Sequence, residues 1–198
     1  CIAESFIPMC LKSWCSRQPC LSSRPRSEGL VSRAGKLCGL DFLRVRMSDS
    51  LILERTQRFL SLLRHCQVLG MRVEHASAKG LTLCLPYSEK IVSNPETGRV
   101  HGGAITTLMD TTCGISTACA LPELEICPTL DLRIDYMHPA EPNHDVFGFA
   151  ECYRVTPTVI FTRGVAYQRD INEPIAHVVG AFMRMGKNSL MKAPEAPQ

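Results

Sequence analysis

The stretch "VHGGAITTLMDTTCGISTACAL" (residues 100–121) contains a long run of small, apolar and hydroxylic residues. From Gly102 to Leu121, the only charged residue is Asp110. A run of this length without proline predicts one long helix, which ends before Pro122. Because this helix is apolar on nearly every side, it must be enclosed by a sheet or by a membrane.

A run of about 20 residues is long enough to cross a bilayer. However, this one contains three glycines, five threonines and the mid-span Asp110. The segments around it also offer strands that can enclose the helix. We therefore expect a helix buried by a sheet, and no membrane span.

The chain before the central helix predicts one further helix and two strands. Apolar residues at helical spacing predict an amphipathic helix that Asp49 or Ser50 caps and Gly70 ends. Residues 71–89 predict two short strands around an "SAKG" turn. Residues 90–100 ("KIVSNPETGRV") predict a loop, because Asn-Pro and Gly favour turns.

The chain after the central helix predicts four strands. They are "CPTLDLRIDYMHPA" (127–140), "DVFGFAECYRV" (145–155), "VIFTRGVAYQRD" (159–170) and "PIAHVVGAFMRMG" (174–186). Strands joined mainly by hairpins form an antiparallel sheet. The predicted fold class is therefore α+β, with an antiparallel sheet around one long central helix.

Composition divides the chain into three segments. Residues 1–46 are rich in Arg and Ser, show no sustained apolar period and begin with Cys1 instead of methionine. We interpret them as an extension outside the fold, either an upstream or artefactual start or a mitochondrial transit peptide, whose composition they partly match. Residues 47–187 are the predicted domain, and residues 188–198 are expected to be a disordered tail.

Charge is distributed unevenly along the chain. Residues 1–46 contain eight Lys and Arg against three acidic residues, whereas the remainder contains 14 basic and 16 acidic residues. A slightly acidic body argues against nucleic-acid binding as the main function.

The cysteines and histidines show no pattern of a disulfide scaffold or a metal site. The 11 cysteines include no C-x-x-C pair, and Cys113 and Cys119 lie inside the apolar helix. This distribution favours free thiols in a reducing cytoplasm. The six histidines are scattered and form no metal-binding motif. We therefore expect no metal and no other cofactor.

Asp110 is unusual in this helix, because a buried carboxylate without a partner costs several kcal/mol. It could be held by Thr106, Thr107 or a backbone group, lie on an exposed stripe, or take part in catalysis. Gly102 and Gly103 are predicted in the first helical turn, where amides have no internal acceptor and the helix dipole is positive. Without side chains to shield them, these amides can bind a carbonyl oxygen that gains negative charge.

The spacing of these groups predicts an assembly. Asp110 lies about 12 Å from Gly102 along a helix, at 1.5 Å per residue. This separation is too large for both groups to contact one acyl centre within a single helix. If they cooperate, the carboxylate comes from a second copy of the chain, so we expect a homodimer or a dimer of dimers.

The motif "NPETGRVHGGAITTLMD" (residues 94–110), followed by "PTLDLRIDYMHPA" (128–140), resembles the hotdog-fold acyl-CoA thioesterases of the phenylacetyl-CoA thioesterase type. Their pattern is Asn, a short loop, H-G-G, six residues and an Asp on the central helix, then a strand of the form S/T-x-D-x-x-I-x-Y-x-x-P. The resemblance covers approximately residues 50–186. It implies a curved antiparallel sheet wrapped around the central helix, active sites at a dimer interface, and an acyl-CoA substrate.

The resemblance also implies roles for individual residues. Asp110 matches the catalytic carboxylate, as general base or nucleophile, and Gly102 matches the residue whose amide polarises the thioester carbonyl. His101 resembles the motif histidine that positions the loop, and Asn94 the residue that helps hold substrate or water. Thr129 falls where a Ser or Thr helps orient the water.

Substrate-binding candidates are less well defined. Gly103 lies beside Gly102 and is one of them. Many relatives have a basic turn, roughly R-x-G-R, before the penultimate strand, whereas "YRVTPTVIF" (residues 153–161) keeps Arg154 and lacks the glycine. Arg154 and Arg163 are candidates for contacts to the CoA phosphates, and a solvated surface charge is the alternative for each.

Two other nucleophiles are disfavoured. Ser116 in "GISTA" lacks the second glycine of a G-x-S-x-G motif, and Cys113 has no cation beside it to activate a thiol. We interpret the following residues as parts of the core: Met109, Tyr136, Phe147 and Phe161.

The preferred function is acyl-CoA thioester hydrolysis in the cytoplasm, or in mitochondria if residues 1–46 are a transit peptide. A hydratase or dehydratase on the same fold and a non-catalytic acyl-CoA-binding module are the alternatives, because a fold does not determine a reaction.

Overall fold

A computed structural model describes residues 47–186 of the chain. The expected extension at residues 1–46 and the expected tail at residues 188–198 lie outside the described residues. So does residue 187, with which the predicted domain ends.

The described part contains three helices, one 3-10 turn and eight strands. The helices are α1 (Asp49–Leu62), α2 (Arg64–Val68) and α3 (Gly102–Ala120), and the 3-10 turn is Glu89–Ile91. The strands are β1 (Arg72–Ser77), β2 (Gly80–Leu85), β3 (Val92–Asn94), β4 (Arg99–Val100), β5 (Thr129–Tyr136), β6 (Val146–Val155), β7 (Val159–Tyr167) and β8 (Ala176–Met183).

Six of these strands form one antiparallel sheet in the order β1-β2-β6-β7-β8-β5. Neighbours in sequence are neighbours in the sheet except at two places, where β2 pairs with β6 and β5 pairs with β8. Helix α3 packs against strands β2, β5, β6, β7 and β8. The predicted α+β architecture, an antiparallel sheet around one long central helix, is confirmed.

The core lies between α3 and the inner face of the sheet. Leu108, Met109 and Cys113 of α3 are fully buried there. Gly148 of β6 allows the helix to approach, because a Cβ at this position would lie 2.9 Å from Thr112 Oγ1 and 3.0 Å from Met109 Sδ. The apolar helix is therefore enclosed by the sheet, as its composition predicts.

The first helical segment ends before Gly70 as predicted, but it differs from the prediction at its start and in its middle. Its N-cap is Ser48, whose Oγ accepts a hydrogen bond from the Leu51 amide at 3.4 Å. Asp49 and Ser50 were the expected caps, but both already lie in the helix. The helix is also interrupted at Leu63, whose extended backbone (φ −89°, ψ 94°) separates α1 from α2.

The sequence predicted a loop at residues 90–100, but the structure shows additional pairing there. Strands β3 and β4 pair there in a short antiparallel hairpin. The turn between them is closed by the Asn94 carbonyl, which accepts from the amides of Thr97 at 3.2 Å and Gly98 at 2.9 Å. Gly98 has a φ of +65°, a conformation that glycine adopts without strain. The turn residues were recognised correctly, but the pairing of their flanks was missed.

Candidate active site

Asp110 lies near the middle of α3 and is half-buried. Thr129 at the start of β5 donates a hydrogen bond from Oγ1 to Asp110 Oδ1 at 2.9 Å. Thr106 and Thr107 do not hold the carboxylate, because Thr106 Oγ1 lies against the Gly102 carbonyl (3.2 Å) and Thr107 Oγ1 donates to the Gly103 carbonyl (2.9 Å), one turn earlier. The structure therefore brings Asp110 and Thr129 together, across a helix and a strand.

A β-bulge makes this contact possible. The register between β5 and β8 shifts between Thr129 and Asp131, so that Thr129 lies opposite Phe182 and Asp131 opposite Ala181. Residues paired across an antiparallel ladder point to the same face, and Phe182 faces the core. Without the extra residue, strict alternation would turn Thr129 away from the helix.

The N-terminus of α3 is capped by the side chain of His101. Its Nδ1 accepts a hydrogen bond from the Gly103 amide at 2.9 Å, so a neutral ring carries its proton on Nε2. The His101 amide donates to the Ile91 carbonyl at 2.7 Å, which ties this turn to the segment before β3. His101 thus positions the start of the helix.

The cap leaves one amide available at the helix start. Gly102 is the first helical residue, so the helix provides no acceptor for its N–H. A Cβ at Gly102 would meet the Tyr136 hydroxyl at 3.5 Å, an ordinary contact. The Gly102 amide therefore has the position and the dipole field of a site for a polarised carbonyl oxygen.

Asn94 lies at the end of β3, and the β3–β4 hairpin connects it to the glycine motif at the start of α3. The Asn94 side chain is exposed, and its Oδ1 accepts from the Glu96 amide at 2.8 Å. Among residues 47–186, the structure gives it no hydrogen bond to Asp110, Gly102 or Thr129. Within one chain, the side chain stabilises its own turn.

Tyr136 contacts the candidate site, which the sequence did not predict. It was expected in the core, but half of its surface (50%) is exposed. Its hydroxyl donates to the Gly102 carbonyl at 2.7 Å and lies 2.7 Å from Thr106 Oγ1. The tyrosine in the strand pattern of the resembling family was the one signal that could have indicated this role. Met109, in contrast, is fully buried as expected, and Phe147 and Phe161 are half-buried.

The two arginine candidates lie on exposed positions of β6 and β7. Arg163 pairs with Glu151 at 2.7 Å and lies over the ring of Tyr153, 5.7 Å from its centroid. Arg154 lines an open depression of about 430 Å³ together with Tyr153, Thr156, Val159 and Phe161. Arg163 is thus engaged with its neighbours, whereas Arg154 borders a concave surface.

The alternative nucleophiles are poorly placed. Burial raises the pKa of the Cys113 thiol to about 12, so the thiol stays protonated at neutral pH. Ser116 is 1% exposed, and its Oγ donates to the Cys113 carbonyl at 2.7 Å. Both residues are parts of the packed core.

Within residues 47–186, no helix is both long and apolar enough to cross a membrane. The same part of the chain contains no group of three or more His, Cys, Asp or Glu side chains that could hold a metal ion.

The fold and the helix-start motif together define a hotdog fold of the kind found in the thioesterase superfamily. The model of the thioesterase superfamily matches residues 97–175, which include the H-G-G motif, Asp110 and strand β5. A Pseudomonas aeruginosa protein of known crystal structure is 78% identical to this chain in sequence. The match covers 68% of this chain and 99% of the Pseudomonas protein, and the TM-score is 0.64. The chain belongs to the thioesterase superfamily.

More distant proteins are similar to this chain in sequence or in fold. A Halobacterium salinarum protein named "putative esterase" is 39% identical over 94 residues, which are 46% of this chain. The chain spans 61% of the length of that curated relative. The PaaI protein from the phenylacetic acid degradation operon of E. coli is 12% identical, with a TM-score of 0.61 over 70% of this chain and 96% of its own. A hypothetical thioesterase from Streptococcus pneumoniae, solved with coenzyme A, is 15% identical, with a TM-score of 0.51 over 59% of this chain and 90% of its own.

Proposed function

We propose that this protein is an acyl-CoA thioesterase, which hydrolyses a thioester to a carboxylic acid and free CoA. Asp110 acts as general base on water or as nucleophile, and the Gly102 amide binds the oxyanion. The observation that carries this proposal is a half-buried carboxylate held by Thr129, on a helix that provides no acceptor for its own first amide.

The carboxylate is oriented for chemistry. Thr129 donates to Oδ1, and Oδ2 receives no hydrogen bond from any residue in the described part of the chain. One oxygen is thus fixed by the protein, while the other can accept a proton from water or attack a carbonyl carbon. A positioned general base contributes about 10²–10⁴-fold in rate. Thr129 therefore supports the reaction by holding Asp110. A second role, orienting the water, is the one that the family resemblance implies.

Two chains complete the proposed site. Gly102 and Asp110 are about 12 Å apart along α3, so one acyl centre cannot contact both within a chain. Strand β5 lies at the edge of the sheet, and Leu130, Tyr136 and Met137 on or beside it are 55%, 50% and 54% exposed. An edge strand presents unpaired backbone groups that a second copy can satisfy. Pairing of β5 with the β5 of a second copy would bring the Asp110 of one chain towards the Gly102 of the other, and two such dimers can associate further.

The proposed substrate is an acyl-CoA, and water is the second reactant, so the reaction needs no metal or organic cofactor. The coenzyme A in the pneumococcal thioesterase of this fold supports a CoA ester as substrate. Arg154 is the proposed contact for the CoA phosphates, because it borders the depression on β6 and β7. Gly103 supports the site because its amide bonds the His101 ring. Asn94 is proposed to help hold substrate or water in the assembled dimer.

The test is a thiol-release assay with acetyl-CoA, octanoyl-CoA and phenylacetyl-CoA. We expect Asp110→Asn to fold normally and to lose two or more orders of magnitude in kcat. The matched control is Asp49→Asn, which removes an exposed carboxylate at the start of α1 and should leave turnover unchanged. Turnover by Asp110→Asn at the wild-type rate would remove Asp110 from the mechanism. Thermal stabilisation by acyl-CoA without thiol release would identify a binding protein instead of an enzyme.

A further inference from the structure

The start of α3 contains two adjacent glycines and is held from the strand side by one tyrosine. Tyr136 is the last residue of β5, and its hydroxyl lies 2.7 Å from both the Gly102 carbonyl and Thr106 Oγ1. Thr106 Oγ1 in turn lies 3.2 Å from the same carbonyl. The three groups form a closed triangle on the exposed surface of the helix start.

Counting protons assigns the donors in this triangle. Two hydroxyl groups supply two protons for three contacts, so both cannot donate to the carbonyl while they also bond each other. The Tyr136 contact to the carbonyl is 0.5 Å shorter than that of Thr106 (2.7 against 3.2 Å). Tyr136 is therefore the donor to Gly102, and Thr106 donates to the Tyr136 oxygen.

The Gly102 carbonyl and the Gly103 amide belong to one peptide group, which is consequently bonded at both ends. Tyr136 donates to its oxygen, and its N–H donates to His101 Nδ1 at 2.9 Å. A peptide group with a donor on one side and an acceptor on the other has a fixed plane. Glycine pairs otherwise allow many backbone conformations, and helix ends fray. The bonds thus restrain the residue whose own amide remains without a helical acceptor.

We infer that Tyr136 is a positioning residue of the active site. By holding the Gly102 carbonyl, it keeps the Gly102 amide aimed at the place where the thioester oxygen becomes negative. This inference rests on the proposed function, because it assigns Tyr136 a part in the same oxyanion site. Tyr136 acts through Gly102, and it need not touch the substrate.

The inference predicts a loss of kcat without a loss of binding. Tyr136→Phe removes one hydrogen bond and keeps the ring, and we expect kcat to fall about 3- to 10-fold with KM unchanged, as for one lost hydrogen bond. The affinity for S-octyl-CoA, a thioether without a carbonyl, should stay at the wild-type value. Thr106→Val should lower kcat in the same direction and by less, because Thr106 acts only through the Tyr136 oxygen.

A matched control separates the site from the sheet. Tyr167→Phe removes the hydroxyl of a half-buried tyrosine on β7 that stacks on Phe147, and it should leave kcat unchanged. A wild-type kcat for Tyr136→Phe would overturn the inference. So would a loss of activity that is fully explained by weaker binding of S-octyl-CoA. Asp110→Asn, assayed in parallel, separates the two proposals. If Asp110→Asn is inactive while Tyr136→Phe turns over normally, only the positioning role of Tyr136 fails. If the wild-type protein releases no thiol, the proposed function and the positioning role both fail.

Discussion

The oxyanion role of Gly102 can be tested by removing a single backbone N–H. Gly102 is the first residue of α3, a position at which proline is favoured. His101 before it has φ −68° and ψ 133°, the extended conformation that a residue preceding proline requires. Because the Gly102 amide has no acceptor in the helix, Gly102→Pro breaks no helical hydrogen bond. The substitution therefore deletes the proposed donor while the helix can still form.

The expected effect follows from the loss of one oxyanion donor. Removing such a donor costs about 10²–10³ in kcat, or about 3–4 kcal/mol. Gly102→Ala is the matched control: it keeps the N–H, and its Cβ would lie 3.5 Å from the Tyr136 hydroxyl, in ordinary contact. We expect the alanine variant to keep most of its turnover. The assay is kcat from CoA release, with circular dichroism and thermal melting to show that both variants fold.

The comparison of the two variants decides the outcome. Turnover of folded Gly102→Pro at the level of Gly102→Ala would refute the oxyanion role of this amide. An equal, large loss in both variants would also refute it, because the alanine variant still has the donor.

Three further predictions concern single side chains. Thr129→Val, which keeps the strand-favouring shape and removes the bond to Asp110, should lower kcat about tenfold or more, while Thr129→Ser should keep most of it. Glu125→Gln should lower the free energy of unfolding, measured in urea, by about 3 kcal/mol, because it breaks a pair with Arg184 in which the glutamate side chain is 2% exposed. An unchanged urea midpoint would contradict this. The pKa of Cys113 is about 12 in the folded chain and 9.0 in its ordinary state. Since the unfolded chain releases this proton first, stability should be fully present below pH 9.0 and fall as the pH rises towards 12, and replacing Cys113 by Ala should make that alkaline fall shallower.

The sequence predicts most of the fold because its periodicities are strong. A helix formed by the apolar run from Gly102 to Leu121 can hardly lie anywhere except against a sheet. The strands that follow it show either alternating apolar and polar residues or continuous apolar runs. Small errors arose where one residue decides the local geometry. Ser48 instead of Asp49 caps α1, and the extended backbone of Leu63 divides the first helix. Neither is visible in a pattern that averages over several turns.

The site was predicted less completely, because its contacts depend on long-range pairing. Asp110, Gly102 and His101 were predicted as site residues from one continuous motif, and they remain proposals. The bulge that turns Thr129 towards the helix is set by the pairing of β5 with β8, which the sequence order does not reveal. The same pairing places β5 at the edge of the sheet, and it exposes Tyr136, which would be buried in a central strand.

In the proposed assembly, each active site combines the carboxylate of one chain with the helix-start amide of another. The direct measurement uses a mixed dimer of an Asp110→Asn chain and a Gly102→Pro chain, co-expressed with different affinity tags and purified through both. If the groups act across the interface, the mixed dimer contains one intact site of two, and its thiol release should reach about half of the wild-type rate. Activity no higher than that of the two parent variants would show that the groups do not meet across a dimer interface, and would contradict the claim.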